Sequence, residues 1–337
     1  MKAFQLIKYK KEQPKYQLND IEPQTLGSND IFIKTSIAAV NPLDNLISHG
    51  ELKLVVPYSL PQTMGNEFVG TIEKLGKKVT NFKVGDRVYA RNPLNNIGAF
   101  AEKVVVDKDA IAKVPDYLTD QEAAAVPLTA LTAMQALDLL NAQAGQTLFI
   151  SGGTGSFGTM AIPIAVARGL KVITSGNGKK QAEVEKLGVS QFINYREEDY
   201  SEILSNVDLV IDTIGGKELE KEFKILKPEG KLVSLRAMPN KAFAKNMGMG
   251  SFKQILFGLA ARKIEKMAQK KHQTYNFLFV TANGKQLEEA SQILAKREIH
   301  PALGNIYSLE ETEDALNDVA QRKSNGKVLI QISSDKN

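Results

Sequence analysis

Between Gln146 and Ala161 runs the segment QTLFISGGTGSFGTMA, which restricts the fold more than any other part of the chain. A short apolar strand, Leu148-Phe149-Ile150, enters a loop with Gly153, Gly155 and Gly158 in G-x-G-x-x-G spacing. A helical pattern from Thr159 to Arg168 leaves it. Glycine at these positions permits a tight turn, close approach of backbone to a pyrophosphate, and close helix-strand packing. The phosphate can then sit on the free N–H groups and positive dipole of the helix start. A bare G-x-G-x-x-G occurs in many loops. Framed by a strand and a helix it reads as a dinucleotide loop, the alternative being a tight turn that binds nothing.

With 337 residues, 43% apolar and 24% charged, the chain is long enough for two domains and has the composition of a globular enzyme. It contains no run of about 18 apolar residues, so no membrane span is expected. The N-terminus, MKAFQLIKYKKEQPKY, has no apolar signal core and reads as a first strand. Zero cysteines exclude disulfides and thiolate metal ligands, and a cytoplasmic location is the expectation. The net charge of +5 is densest around Lys8 with Lys10-Lys11, Lys74 with Lys77-Lys78, and Arg262 to Lys271. Without aromatic interleaving or a zinc-finger or helix-turn-helix signal, this reads as solvated faces plus a basic ligand site. Neither a nucleic-acid nor a membrane partner is expected.

Residues 1 to about 121 form short β segments, Ile31–Ser36, Phe68–Leu75, Arg87–Ala90 and Ala101–Val106, punctuated by Gly76, Gly85-Asp86 and Asn95-Asn96. A helix, AAAVPLTALTAMQAL, follows, and then strands and helices alternate: Lys171–Thr174, Lys179–Leu187, Phe192–Asn194, Val207–Ile211, Leu219–Ile225 and Lys231–Ser234. That alternation implies right-handed βαβ units and a parallel sheet. Residues 236–275 read as one or two helices over the sheet edge. Asn276–Val280 reads as a strand, Leu287–Lys296 and Leu309–Gln321 as helices, and Val328–Ile332 as a closing strand.

In dinucleotide folds an acid about 20 residues beyond the glycine loop binds the ribose 2′-hydroxyl of NAD. Here the strand Lys171–Thr174 runs into Ser175-Gly176-Asn177-Gly178-Lys179-Lys180, and no acid appears before Glu183. A carboxylate repels a 2′-phosphate, whereas hydroxyl, amide and ammonium groups bind one. NADPH is therefore the expected cofactor. The competing reading, two exposed first-turn lysines, is weakened because lysine there opposes the helix dipole.

From one end to the other the chain resembles the zinc-independent medium-chain dehydrogenase/reductases, especially the NADPH:quinone oxidoreductases. The pieces come in order: Asn41-Pro42-Leu43-Asp44, GNEFVGTIEKLGKKVTNFKVGDRVYA (65–90), Gly98-Ala99-Phe100-Ala101-Glu102, AAAVPLTALTAMQAL, the glycine loop, INYREED (193–199), VDLVIDTIGG (207–216) and NGKVLI (325–330). The resemblance implies an α/β fold in which a Rossmann domain, a doubly wound parallel sheet spanning 122–281, is inserted in a GroES-like β-rich catalytic domain of residues 1–121 and 282–337. The active site would lie in the cleft.

Family roles fall on matching positions. The amides of Ser156 and Phe157 would face the pyrophosphate, and Thr129 the nicotinamide carboxamide or ribose. Ser175, Asn177, Lys180 and Tyr195 would meet the 2′-phosphate. Ile214-Gly215 would flank the adenine ribose, and Phe279-Val280 would touch the nicotinamide amide through backbone. Arg322 is similar in position to a cofactor-phosphate arginine. Tyr195 as a plain strand-end residue and Arg322 as a helix C-terminal charge are the alternatives. The family is usually dimeric, so a homodimer is expected.

Zinc members of this superfamily bind catalytic zinc through a cysteine and the histidine of a Gly-His-Glu motif. Here Asn41 and Asn66 stand in those places, giving Gly65-Asn66-Glu67, and Ala90 to Gly98 has no cysteine lobe. His49, His272 and His300 lack ligand spacing, so no metal is expected. Glu67 reads as a hydrogen-bonded structural acid. Without a Lewis acid, quinones and α,β-unsaturated carbonyls suit hydride transfer better than simple ketones. Asn41 is then expected to donate to the developing oxyanion and Asp44 to orient a neighbour. Tyr58 is the only tyrosine near the place where the quinone reductases carry theirs, with solvent as the other proton source. Arg91 and Asn92 enter only by analogy. An enoyl-thioester reductase, with the basic run 262–271 attracting an acyl carrier, and a non-catalytic, crystallin-like NADPH-binding protein are the competing functions.

Overall fold

The computed structural model describes residues 1–333; the last four residues of the expected 282–337 segment lie outside the described residues. The chain divides into two compact units, one of Met1–Leu131 with the chain from Thr281 on, the other Thr132–Val280. The sequence reading puts those transitions at 121/122 and 281/282.

The first unit opens with β1 (Lys2–Lys8), β2 (Lys15–Asp20), β3 (Asp30–Ala39), α1 (Pro42–Ser48), β4 (Gln62–Thr63), β5 (Glu67–Leu75), β6 (Arg87–Arg91), β7 (Lys103–Asp107) and β8 (Ile111–Lys113). Two helices, α2 (Asp120–Ala124) and α3 (Pro127–Leu139), stand where the sequence suggested one. Proline fits the first helical position and breaks an interior, so Pro127 starts a new helix. A Thr119/Glu122 capping box starts α2.

The second unit alternates β9 (Thr147–Ile150), α4 (Ser156–Ala167), β10 (Lys171–Gly176), α5 (Gln181–Glu185), β11 (Gln191–Asn194), α6 (Tyr200–Ile203), β12 (Val207–Asp212), α7 (Glu218–Ile225) and β13 (Leu226–Ser234). Helices α8 (Lys241–Asn246) and α9 (Ser251–Gln269) and strand β14 (Thr274–Phe277) complete it. Its six-stranded sheet has the order β11-β10-β9-β12-β13-β14, all parallel. That order reverses direction between β9 and β12, the crevice where doubly wound folds hold nucleotides. Phe149, Val210, Phe223, Leu232 and Tyr275 are among the residues of its core.

Returning to the first unit, the chain adds α10 (Gly284–Ala295), β15 (Leu303–Ser308), α11 (Thr312–Gln321) and β16 (Lys327–Gln331). A seven-stranded sheet runs β15-β16-β3-β5-β6-β8, with β7 also on β3. The ten residues of β3 serve three partners: β16 on Ile37–Ala39, β7 on Asp30–Lys34, and β5 along most of its length. A smaller sheet, β2-β1-β4, packs Phe4 and Leu6 into the same core as Ile33, Phe68 and Ile330. The pairing of β16 with β3 brings a residue from the end of the chain beside Asn41.

Candidate functional site

In the second unit the expected cofactor residues gather at the carboxyl ends of the strands. Helix α4 starts at Ser156, three residues before the sequence pattern suggested, with Gly155 as its N-cap and no acid in its first turn. A side chain on Gly153 would run into Thr174 Oγ1 at 2.1 Å, and one on Gly158 into the Gly153 carbonyl oxygen at 2.3 Å. Gly155 differs: its nearest such contact is 3.5 Å away, on the Gly152 carbonyl oxygen. Two glycines thus let strand, loop and helix pack, while the third leaves backbone bare beside the free N–H groups of α4, a cradle for a phosphate.

At the end of β10, Ser175 is buried and Asn177 caps the next turn, accepting from the Lys179 N–H at 3.2 Å. Lys180 is half-exposed and Tyr195 is 55% exposed, beside Arg196, which lies 5.9 Å from its ring. Strand β11 runs parallel to β10 and pairs Ser175 with Ile193, which brings Tyr195 next to the Gly176 carbonyl. Lys179, Lys180 and Arg196 make this edge basic. Arg196 follows Tyr195 in the INYREED motif and adds a cation that the resemblance does not assign. On the next strand the buried carboxylate of Asp212 accepts from the N–H groups of Ile214 (2.8 Å) and Gly215 (2.7 Å) and from Ser234 Oγ (2.5 Å). It shapes the loop expected beside the adenine ribose. Phe279 and Val280 follow the end of β14.

The first unit holds a buried polar network. Gly65 has φ +98° and lies against Phe100, so only glycine fits before Asn66-Glu67. Glu67, fully buried, accepts from the Leu128 N–H at 2.7 Å, from Asn41 Nδ2 at 3.0 Å and from Lys327 Nζ at 2.7 Å. Lys327 also donates to Asn41 Oδ1 at 2.6 Å. The remaining Asn41 amide hydrogen goes to the Ala39 carbonyl at 3.3 Å. Asn41 therefore has its whole amide engaged, which corrects the expectation that it donates to a substrate oxygen. Asp44 accepts from the Asn41 N–H and from Asn66 Nδ2, both at 2.8 Å. Burial, offset in part by those two donors, raises its carboxyl to about 6.

Beside this network Arg91 lies opposite Glu67 in the β5–β6 pairing and is fully buried. One Nη1 hydrogen reaches the Asn92 carbonyl, while Nε and Nη2 have no partner among the described residues. Both ends of the Asn92 amide and Oδ1 of Asn66 are likewise buried and unpartnered. Burial pulls the guanidinium down to about 10, against the pull of Tyr58, Asp44 and Glu67. Tyr58 donates to the Leu94 carbonyl at 2.6 Å, and burial raises its hydroxyl. Five buried polar atoms on these three neighbouring side chains thus have no partner among the described residues, although such groups are ordinarily satisfied by protein, water or a bound molecule. Thr129 directs its hydroxyl to the Val126 carbonyl at 3.0 Å, and Arg322 is an exposed residue ending α11 with φ +53°. Lys327 was not singled out in the sequence, since nothing local marks a strand lysine as the partner of a distant acid.

These donors do not fit zinc. The two positions of the family's cysteine and histidine ligands hold the amides of Asn41 and Asn66, the neighbouring Glu67 is already paired with Lys327, and no group of three or more His, Cys, Asp or Glu side chains converges among the described residues.

A family model described as an alcohol dehydrogenase GroES-like domain matches residues 27–116, and one described as a zinc-binding dehydrogenase matches 187–330. Quinone oxidoreductase-like protein 2 of Rattus norvegicus is 26% identical over 324 residues, 94% of this chain and 88% of that protein. The quinone oxidoreductase of Coxiella burnetii superimposes with a TM-score of 0.81 at 26% identity, covering 99% of both chains. That of Thermus thermophilus, solved also in complex with NADPH, has a TM-score of 0.74 at 25% identity and covers 98% of this chain and 100% of its own. The fold is thus a doubly wound parallel-sheet unit inserted in a GroES-like one.

Proposed function

Because the chain belongs to the medium-chain dehydrogenase/reductase superfamily and is quinone-oxidoreductase-like, we propose that it is an NADPH-dependent reductase of quinones or α,β-unsaturated carbonyls that works without a metal. The observation that carries this reading is the nucleotide loop: a bare Gly155 at the start of α4 and an acid-free, basic end of β10. Bound NADPH supplies the hydride. Gly153, Gly155, Ser156, Phe157 and Gly158 would hold its pyrophosphate, Ser175, Asn177, Lys180 and Tyr195 its 2′-phosphate, and Ile214 its adenosine. Thr129, Phe279 and Val280 would meet the nicotinamide end, and Arg322 a phosphate.

Electrophilic assistance falls to Arg91. Asp44, Glu67, Lys327 and Arg91 sum to zero formal charge, so a further anion is not demanded in the ground state. A neutral carbonyl oxygen suits the free Nε, Nη2 and Asn92 Nδ2 donors, which strengthen as that oxygen gains charge. Asn41 and Asp44 act as positioning residues: Asp44 holds Asn66, and Asn41 ties Glu67 to Lys327. Tyr58 would have to leave the Leu94 carbonyl to serve as the side-chain proton source, and solvent is the other source. A homodimer through edge strand β14 is part of the proposal, since the outer side of β14 pairs with no strand among the described residues.

The test follows NADPH absorbance with purified protein and a panel of ortho-quinones, alkenals and enoyl thioesters. Turnover of quinones or alkenals supports the reading. Turnover of thioesters alone, or tight NADPH binding with no turnover, would replace it with an acyl-thioester reductase or a binding protein.

A further inference from the structure

The basic run Arg262 to Lys271, assigned from the sequence to a solvated face, has a second half. Helix α9 packs its inner side, Phe257, Ala261, Ile264 and Ala268, onto the second unit. On the opposite side, at the i, i+3, i+4, i+7 spacing of one helix face, stand Phe252, Ile255, Leu256 and Leu259. They are 79%, 58%, 38% and 62% exposed. The same face continues into Arg262, Lys263, Lys266 and Lys270, all exposed. One outward surface is thus apolar over its first two turns and cationic over the rest. Glu265, the only acid of the helix, turns off that face. Lys263 makes a loose 3.7 Å ion pair with Glu220, and Lys241 and Lys245 of α8 add two exposed cations nearby.

We propose that this face of α9 is a docking surface for an anionic lipid bilayer, with Phe252, Ile255, Leu256 and Leu259 entering the headgroup boundary and the lysines and Arg262 meeting lipid phosphates. A large exposed apolar stripe marks an interaction site, and an apolar face joined to lysine and arginine is the pattern of an interfacial helix. Charge selects the occupant. An anionic membrane complements both halves, whereas a second copy packed on the apolar half would leave the cationic half unmatched. The inference goes beyond the reductase reading and does not depend on it, although quinones that dissolve in lipid would make such docking useful.

Co-sedimentation with vesicles of phosphatidylglycerol and, separately, of phosphatidylcholine tests it on the full chain. The protein is expected to sediment with phosphatidylglycerol, weakly or not at all with phosphatidylcholine, and less as salt rises. Lys263→Gln with Lys266→Gln should weaken binding about thirtyfold, at roughly fivefold for each lysine. Phe252→Ser should weaken it at least about tenfold. All three positions are on the surface, and unchanged circular-dichroism melts would show the variants fold. Absence of sedimentation with phosphatidylglycerol overturns the proposal, as does binding that ignores both sets of substitutions. Conversion of a dimer to a monomer by Phe252→Ser, without any vesicle binding by the wild type, would instead make this face a contact between copies.

Discussion

Replacing Lys327 by methionine probes the packing logic of the buried network most sharply. The ammonium is 5% exposed and lies 2.7 Å from Glu67, itself fully buried. Methionine fills much the same space but leaves the carboxylate with two N–H donors, from Leu128 and Asn41, and no cation bonded to it, Arg91 across the β5–β6 pairing acting only through space. Breaking one side of a buried ion pair costs about 3–5 kcal/mol, a large share of a typical domain's ~5–15 kcal/mol. The double variant Glu67→Gln with Lys327→Met removes both charges. Freed from Lys327, Asn41 can turn its amide to present oxygen to the new glutamine. The double variant should therefore recover at least half of the loss, a coupling of about 2 kcal/mol or more. Urea unfolding by circular dichroism gives the global value, and hydrogen exchange of peptides from β3, β5 and β16 shows where stability is lost. A Lys327→Met protein within about 1 kcal/mol of wild type, or a double variant as unstable as the sum of the singles, would refute the reasoning.

Three other outcomes follow from the site. Asp44 has its folded value raised from 3.8 to about 6, so its contribution to stability is present below 3.8 and is lost as pH rises through about 6. Wild type should lose about 3 kcal/mol relative to Asp44→Asn over that window, measured by urea unfolding at a series of pH values; a flat difference contradicts it. Lys180→Ala should weaken NADPH binding at least about tenfold in fluorescence titration while barely changing NADH binding, the loss of one charge-assisted phosphate bond. Arg91→Gln should lower kcat about 100- to 1,000-fold with little change in KM, as loss of an oxyanion donor does. An equal loss through KM would make Arg91 a simple binding residue.

The alternating period from Lys171 to Ser234 and the turn residues of the first 120 positions made both units legible, because each strand and helix carries its own pattern. Pro127 is visible too, yet the run AAAVPLTALTAMQAL is so uniformly suited to helix that it reads as one helix across the break. The glycine loop was readable residue by residue, since Gly153 and Gly158 answer close contacts and Gly155 leaves backbone bare at the helix start. Lys327 was not, because its partners Glu67 and Asn41 come from the other end of the chain and meet it only through strand pairing. The free donors of Arg91 are equally invisible in sequence, where an arginine at a strand end looks like a surface charge. For α9 the sequence pattern shows only a helix over the sheet edge, and packing alone separates the apolar residues that face the core from those that face out.

The most direct measurement of the account is cofactor oxidation by purified protein, with an ortho-quinone as acceptor, before and after exhaustive treatment with a zinc chelator. NADPH should be consumed well ahead of NADH, at a rate the chelator leaves unchanged. Preference for NADH, or activity that vanishes on chelation and returns with zinc, would contradict it.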